Sequence, residues 1–220
     1  VTMPRSYLLK DHHEAFGRVS CPLNRSRARL HRIAGTIESM YGLINIAIKD
    51  LVTEQFGEEA WRRILSRAGL EGTEFILMDQ YEDSVTYDLV GAASEELDVP
   101  ASQILQSFGA YWTKYTAVKG YGPLLDSAGK TFPEFLQNLD LMHTRVGTMF
   151  PDFVPPSFEC HNMTEHSLDL HYISEREGLE DLVIGLLHGL AERFELTLEI
   201  IQDESKSETT GASIFHLKWT

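Results

Sequence analysis

Apolar residues in the first part of the chain recur three and four positions apart, the period that turns one face of a helix toward a core. On this pattern the sequence predicts helices over residues 43–56, 61–68, 87–97 and 102–115. A later helix is predicted to begin at Thr131, because Pro133 and Glu134 follow it in the order of a capping box. Its apolar period continues through His143 and ends at Phe150, before a proline.

The pattern changes after Pro155 and Pro156, which enforce extended chain. From there the sequence predicts strands over residues 158–160, 168–174, 196–201 and 214–219. A helical segment over residues 179–194 interrupts these strands, and the polar residues 203–211 predict a hairpin turn. Helices followed by a small antiparallel sheet with one crossing helix predict an α+β fold.

Charge is distributed unevenly along the 220 residues. Residues 1–39 carry a net charge of +4 from seven basic and three acidic side chains, so residues 40–220 carry −18 against a formal total of −14. So acidic a body argues against nucleic acid and against an anionic membrane as partners. No apolar run is long enough to span a bilayer. Residues 40–220 hold one cysteine, which gives no disulfide framework and favours a reducing cytoplasm.

Residues 1–39 differ in character from the rest of the chain, because they show no sustained apolar period. We expect this basic leader to be disordered or extraneous to a single domain over residues 40–220, with Met40 as a candidate initiator. A targeting peptide is the alternative, and the acidic residues Asp11 and Glu14 weaken it.

Tyr172, Ser174 and Arg176 form an alternating row at the end of the second predicted strand. Residues two apart on a strand project to one face, so two hydroxyls and a guanidinium are expected to lie together. A guanidinium binds a carboxylate bidentately and hydroxyls donate to a second one, so the row suits a flat ligand with two carboxylates. The alternative is a solvated strand face with a surface ion pair to Glu175 or Glu177.

His143 lies on the mostly apolar face of the helix predicted from Thr131. An imidazole in such a place can bind iron in a dry pocket, and Gly147, one turn later, leaves space beside it. A haem needs both an axial ligand and an anchor for its propionates, so His143 and the row ending at Arg176 together indicate a haem site. For the imidazole alone, the alternative is a hydrogen-bonded histidine of the core or its boundary.

Several further stretches accompany these residues in a specific order: Met40–Asn45 (MYGLIN), Tyr87–Ser94 (YDLVGAAS), Glu134–Asp140 (EFLQNLD), Pro155–Cys160 (PPSFEC) and Ser174–Leu179 (SEREGL). With the Tyr-x-Ser-x-Arg row and the upstream histidine, this order resembles the haem nitric oxide/oxygen-binding (H-NOX) family, of the bacterial stand-alone type. It also resembles the haem domain of the soluble guanylate cyclase beta subunit. The resemblance covers about residues 40–219.

The resemblance implies a haem b buried between the helical part and the sheet. The family's axial histidine falls at His143, and its propionate-binding residues fall at Tyr172, Ser174 and Arg176. A proline at the position of Pro156 presses on one face of the haem in this family. The other pocket positions that the resemblance implies are Ile44, Ile48, Trp112, Val146, Leu182 and Leu186.

Leu182 bears on the choice of gas. Oxygen-binding members of the family place a tyrosine here, whose hydroxyl stabilises bound dioxygen, and leucine has no donor. The resemblance therefore implies a pocket that binds nitric oxide and carbon monoxide and disfavours oxygen. Trp112 carries an indole N–H that could supply the missing donor, and ordinary helix packing is the alternative for that side chain.

The expected function is a cytoplasmic haem-based nitric oxide sensor without enzymatic activity. In this interpretation, gas binding weakens the iron–His143 bond and relaxes the helix that carries it. A separate effector chain, a histidine kinase or a cyclic-nucleotide-signalling enzyme, then responds. The alternatives are a haem enzyme of the oxidase or peroxidase type, which needs distal acid–base residues, and a haem-free interaction module with an acidic surface.

Cys160 lies close in sequence to His161 and His166, and sulfur and imidazole at this spacing permit a zinc site. Only three candidate ligands occur locally, so a reduced, partly buried cysteine is the favoured interpretation.

Overall fold

The computed structural model describes residues 39–150 and 152–220. The predicted leader, apart from Ser39, lies outside the described residues. Ser39 itself belongs to a short strand, so the described fold begins at the last residue of that leader.

Four helices form the first half of the fold: α1 Gly42–Phe56, α2 Glu58–Arg67, α3 Asp83–Leu97 and α4 Ala101–Tyr111. They follow the predicted apolar periods, and their buried residues form one core around Ile64, Leu89 and Ala93. Two three-residue strands that the sequence did not predict, β1 Ser39–Tyr41 and β2 Gln80–Glu82, pair antiparallel beside them. Three-residue strands are too short to show an alternation of apolar and polar residues in the sequence. The two strands are also separated along the chain by α1 and α2.

The middle of the chain is more broken than the sequence predicted. After α4 comes a π-helical turn, Trp112–Thr116, followed by α5 Ala117–Ala128, α6 Phe132–Gln137 and α7 Leu139–Gly147. The single helix predicted to end at Phe150 is instead divided at Asn138, whose side-chain amide donates to the Ala128 carbonyl at 2.7 Å. The predicted cap is confirmed, because Thr131 Oγ1 accepts from the backbone N–H of Glu134.

The rest of the chain forms a four-stranded antiparallel sheet and one more helix. In chain order these elements are β3 Ser157–His161, β4 Ser167–Ile173, α8 Glu180–Arg193, β5 Leu198–Gln202 and β6 Ser213–Trp219. The strands lie in the order β3-β4-β6-β5, and Tyr172 pairs with both Phe158 and Ser213. This arrangement confirms the predicted α+β fold. The sequence had predicted that Ser174 and Arg176 lie along the strand. β4 instead ends at Ile173, so both residues lie beyond it.

Helix α8 crosses the molecule and packs closely against α4. The approach depends on glycine, because a Cβ on Gly185 would collide with the backbone of Gln106 and one on Gly109 with the backbone of Leu182. A second core lies between α8, the sheet and α6, and includes Phe135, Leu170 and Phe215. Trp112 is half-buried and packs against both cores. Among the described residues, no helix has the length and apolar character needed to cross a membrane.

Candidate functional site

A cavity of about 310 Å³ opens between the two halves of the fold. This volume lies in the range of small-molecule sites. Residues of α1, α3, α4 and α8 line it together with residues of α7, β3 and the chain after β4. All eleven residues that the sequence analysis assigned to the haem site line this one cavity: Ile44, Ile48, Trp112, His143, Val146, Pro156, Tyr172, Ser174, Arg176, Leu182 and Leu186.

His143 lies on α7 with its ring facing aromatic side chains. The rings of Phe153 and Phe158 each stand 5.9 Å from the imidazole, centre to centre. Its Nδ1 is buried and has no hydrogen-bond partner among the described residues. Burial lowers the pKa of His143, while the charge of Asp140 and the backbone of Pro156 act in the opposite direction. A neutral imidazole with an orphaned ring nitrogen is suited to a metal.

Asp140, one turn before His143, ties α7 to the start of β3. Its carboxylate accepts from Ser157 Oγ at 2.7 Å and from the backbone N–H of Phe158 at 2.9 Å. Pro156 lies directly before these two donors, so the same carboxylate fixes the proline relative to the imidazole. The sequence analysis assigned no role to Asp140, because its partners lie 17 and 18 residues away.

Arg176 lies on the turn between β4 and α8, and its guanidinium is held on three sides. Its Nε donates to Asp83 Oδ2 at 2.7 Å, Nη1 to the Val154 carbonyl at 3.0 Å and Nη2 to the Ser39 carbonyl at 3.2 Å. The pair is largely buried, with the Arg176 and Asp83 side chains 16% and 9% exposed. A guanidinium has five N–H groups, so two remain for a ligand, and the surrounding groups hold it in one orientation.

Tyr172 and Ser174 complete the same end of the cavity. Ser174 Oγ accepts from the backbone N–H of Arg176 at 3.0 Å, which shapes the turn, and Gly178 follows at a φ of 76°. Burial raises the pKa of Tyr172, so its hydroxyl stays protonated and able to donate. Two hydroxyls and a guanidinium therefore border one cavity, although the turn and not the strand brings them together.

The side formed by α1, α3, α4 and α8 offers apolar groups. Two hydroxyls border it, and both already donate within the protein: Thr86 to Asn45 Oδ1 at 2.8 Å and Tyr87 to the Glu177 carbonyl at 3.0 Å. Among the described lining residues, tyrosines aside, His143 and one guanidinium are the ionisable side chains. No distal acid–base pair of the kind that a haem peroxidase needs is present among them.

The sequence missed an aromatic group at the edge of the cavity. The Tyr41 and Phe150 rings meet edge to face with centroids 4.8 Å apart, and Tyr121 lies 6.3 Å from Phe150. Tyr121 has non-helical dihedral angles within α5, and burial raises its pKa. Nothing in the local sequence marks these residues as neighbours, because the three come from α5 and from the segments flanking α1 and α7.

The zinc site considered around Cys160 is not formed. Cys160 packs toward the core, where burial raises the pKa of its thiol to about 11. His161, the next residue of β3, projects from the exposed face, since successive strand residues alternate. His166 lies before β4, exposed, 3.8 Å from the Glu165 carboxylate.

Comparison with known proteins indicates a haem-binding domain, as the cavity does. The family model described as Haem-NO-binding matches residues 41–202. The soluble guanylate cyclases gcy-32 and gcy-34 of Caenorhabditis elegans are each 32% identical over 166 residues, 74% of this chain and 24% of each relative. The chain thus spans about a quarter of the length of these curated relatives.

Solved structures match the fold along nearly their whole length. An H-NOX protein from S. oneidensis in the Fe(II)NO ligation state superposes with a TM-score of 0.72 at 20% identity, over 82% of this chain and 99% of that one. The Fe(II) unliganded H-NOX protein from K. algicida gives a TM-score of 0.71 at 24% identity, over 82% and 97%. The chain belongs to the Haem-NO-binding, or H-NOX, family of haem-binding gas-sensor domains.

Proposed function

We propose that this protein is a haem-based nitric oxide sensor, with residues 40–220 acting as one sensing domain. One observation carries the proposal: a single cavity gathers the donor group of Tyr172, Ser174 and Arg176 and the imidazole of His143, whose Nδ1 has no hydrogen-bond partner in the described part of the chain. These are the two kinds of group that a haem requires, an axial ligand and partners for its propionates.

Haem b, when bound, supplies an iron that takes up diatomic gases. His143 is the proposed axial ligand, because desolvation lowers its pKa and its buried Nδ1 lacks a hydrogen-bond partner among the described residues. Arg176 is the proposed main partner of a propionate, with two N–H groups left after its three protein contacts. The hydroxyls of Tyr172 and Ser174 add donors beside it.

The apolar side of the cavity supports nitric oxide and carbon monoxide over oxygen. Ile44, Ile48, Leu182 and Leu186 have no donor, and both hydroxyls at this side are committed within the protein. Bound dioxygen carries partial negative charge and gains from a donor, whereas the other two gases need one much less. Trp112 is the one remaining side chain with an N–H among the described residues of this side, and it packs edge to face on Phe108 at 6.2 Å.

The proposed output runs through α7 and β3. Asp140 couples the helix that carries His143 to the strand that follows Pro156, so weakening of an iron bond to His143 would alter both elements together. A cytoplasmic effector enzyme on a separate chain, a histidine kinase or a cyclic-nucleotide-signalling enzyme, is proposed to respond to this change. The relatives named as guanylate cyclases support the cyclic-nucleotide alternative.

Visible absorption of the purified chain tests the proposal. The expected result is a Soret band that shifts when nitric oxide or carbon monoxide is added to the reduced protein. If the protein takes up no haem on titration with haemin, the sensor hypothesis is contradicted. The haem-free interaction module is then the remaining hypothesis. A haem protein that turns over peroxide at a rate well above free haem, without a nitric oxide response, supports the enzyme instead.

A further inference from the structure

The exposed face of β3 and β4 carries a cluster of metal-binding side chains outside the cavity. Glu159 and His161 lie two apart on β3, and therefore on one face. His171 of β4 is the cross-strand partner of Glu159, which brings a second imidazole to the same place. Glu159 and His161 are exposed and His171 is half-buried, so a hydrated ion can reach all three.

The geometry of the three side chains is close to that of a coordination site. Their ligand atoms all lie within 4.8 Å of one another. The His161 Nε2 and Glu159 Oε2 atoms are 3.2 Å apart, and the two imidazole rings stand 4.2 Å apart, tilted by 39°. In a tetrahedral zinc site with bonds of about 2.0–2.2 Å, ligand atoms stand about 3.3–3.6 Å apart. Small rotations of exposed side chains close the difference.

We propose that Glu159, His161 and His171 bind one divalent transition-metal ion, with zinc as the physiological candidate. Two imidazoles and one carboxylate favour zinc, copper or nickel over magnesium and calcium, which prefer oxygen ligands throughout. Three protein ligands leave one tetrahedral position for water or for a ligand from another molecule.

One further carboxylate lies beside the cluster. Asp169 is the cross-strand partner of His161. Its carboxylate accepts from Asn162 Nδ2 at 2.6 Å and contacts His216 Nδ1 at 2.6 Å. These contacts keep Asp169 out of the ligand set and leave Glu159 as the carboxylate of the proposed site.

The metal cluster and the cavity share two strands but no residue. Phe158, between Pro156 and the cluster, packs against His143 from the opposite face of β3. Tyr172, next to His171, lies in the core and borders the cavity. An ion bridging β3 and β4 therefore fixes the relative position of two strands that the gas site uses, and binding to the folded state alone raises the thermal midpoint.

Calorimetric titration of the metal-free 220-residue chain with zinc chloride tests the proposal. A background of His12→Ala and His13→Ala removes the adjacent histidine pair near the start of the chain. The expected result is one zinc ion per chain. His161→Ala and His171→Ala should each lower the affinity by about tenfold or more, since even outer-shell changes cost about 10–100-fold. His166→Ala, an exposed histidine outside the cluster, is the matched control and should bind as the background does.

Two further readouts secure the assignment. Zinc should raise the thermal midpoint of the background protein and not that of the His161→Ala/His171→Ala double variant. Copper(II) bound to the background protein should show nitrogen hyperfine structure from two imidazoles in electron paramagnetic resonance. Unchanged stoichiometry and affinity in the double variant, or an equal loss in His166→Ala, would overturn the site. Glu159→Gln separates loss of a ligand from loss of fold, because it keeps size and removes charge.

Discussion

Asp140 accepts a hydrogen bond of 2.7 Å from Ser157 Oγ, and this contact joins the helix of His143 to the first residue of β3. The neighbouring backbone N–H of Phe158 uses the other carboxylate oxygen. One exposed carboxylate, three residues before the imidazole, thus fixes the strand that follows Pro156. Loss of this carboxylate should loosen the part of the cavity that carries His143. The residues that line the cavity stay unchanged, because Asp140 is not one of them.

Asp140→Ala is therefore expected to destabilise the fold modestly, by about 1 kcal/mol for the lost hydrogen bonds. It should also lower the pKa of His143, because the carboxylate favours the protonated imidazole. Denaturant unfolding and nuclear magnetic resonance titration of the haem-free protein measure the two effects. Asp140→Asn keeps one acceptor and should lose less stability while lowering the pKa equally. An unchanged His143 titration in both variants would contradict the coupling.

His143→Gly should remove the proposed protein ligand of the iron while leaving the propionate end intact. Because the imidazole lines the cavity, the space that it vacates should admit free imidazole from solution. The measurement is the visible spectrum of the reduced variant with and without imidazole. Restoration of the wild-type spectrum by imidazole supports the assignment, and a variant with the wild-type spectrum before any addition would exclude His143 as the ligand.

Arg176→Ala should affect both haem retention and stability, for different reasons. Haem loss to an acceptor apoprotein should become faster, because a charge-assisted hydrogen bond contributes about 1.5–3 kcal/mol. Stability should fall by about 3 kcal/mol, since Asp83 is left buried and unpaired. Tyr172→Phe and Ser174→Ala should each accelerate haem loss less.

The Arg176→Ala/Asp83→Ala double variant separates these two effects. Removing both charges should recover much of the stability, because neither partner is then buried alone. Haem loss should remain fast. If haem retention recovers together with stability, the guanidinium acts on the fold and not on the propionate.

Leu182→Tyr should raise oxygen affinity. The phenol adds a donor in a low-dielectric pocket, where one hydrogen bond contributes about 1 kcal/mol, less the cost of the larger ring. Reduced wild-type protein should keep its spectrum on admission of air for the time of mixing, apart from slow oxidation. Anaerobic-to-aerobic titration followed by visible absorption measures both. Stable oxygen binding in the wild type would make Trp112 the donor to test next, by Trp112→Phe.

His216 should make stability depend on pH. Its ring nitrogens contact Asp169 at 2.6 Å and Asp203 at 3.0 Å, and these carboxylates raise its pKa. The stabilising contribution is complete below the ordinary histidine pKa and is lost as pH rises through the raised value. The thermal midpoint of wild type minus that of His216→Gln should therefore shrink as pH rises above about 6.5. A constant difference would mean that the histidine is not protonated between the carboxylates. The lowered pKa of His143 has the opposite sign and cancels in this difference.

Much of the fold follows from periodicity, because α1, α2, α8 and the central strands β4 and β6 each bury one face and carry the corresponding repeat. The breaks do not follow, since they depend on distant groups. The division at Asn138 rests on a bond to Ala128, and no local signal marks it. The short pair β1 and β2 joins segments separated by two helices.

The residues that line the cavity could be predicted from the ordered motifs. The residues that hydrogen-bond to them could not. Arg176 forms an ion pair with Asp83, which lies 93 positions away in the sequence. No rule of sequence spacing predicts a contact between residues so far apart in the chain. The exposed cluster was missed for a related reason. His161 was grouped with Cys160 by adjacency, although strand alternation separates them, and the cross-strand neighbour His171 becomes visible only once the register is known.

The glycines between α4 and α8 have a mechanical consequence. At Gly109 and Gly185 the two backbones touch without side chains between them, and at Gly189 the neighbours are Thr113 and Ala110. With no side chains between the backbones at these positions, α4 and α8 are expected to move together and not separately. Leu182 lies on α8, and Trp112 directly follows the last residue of α4. A displacement of either side chain against the helix pair is therefore expected to move both helices.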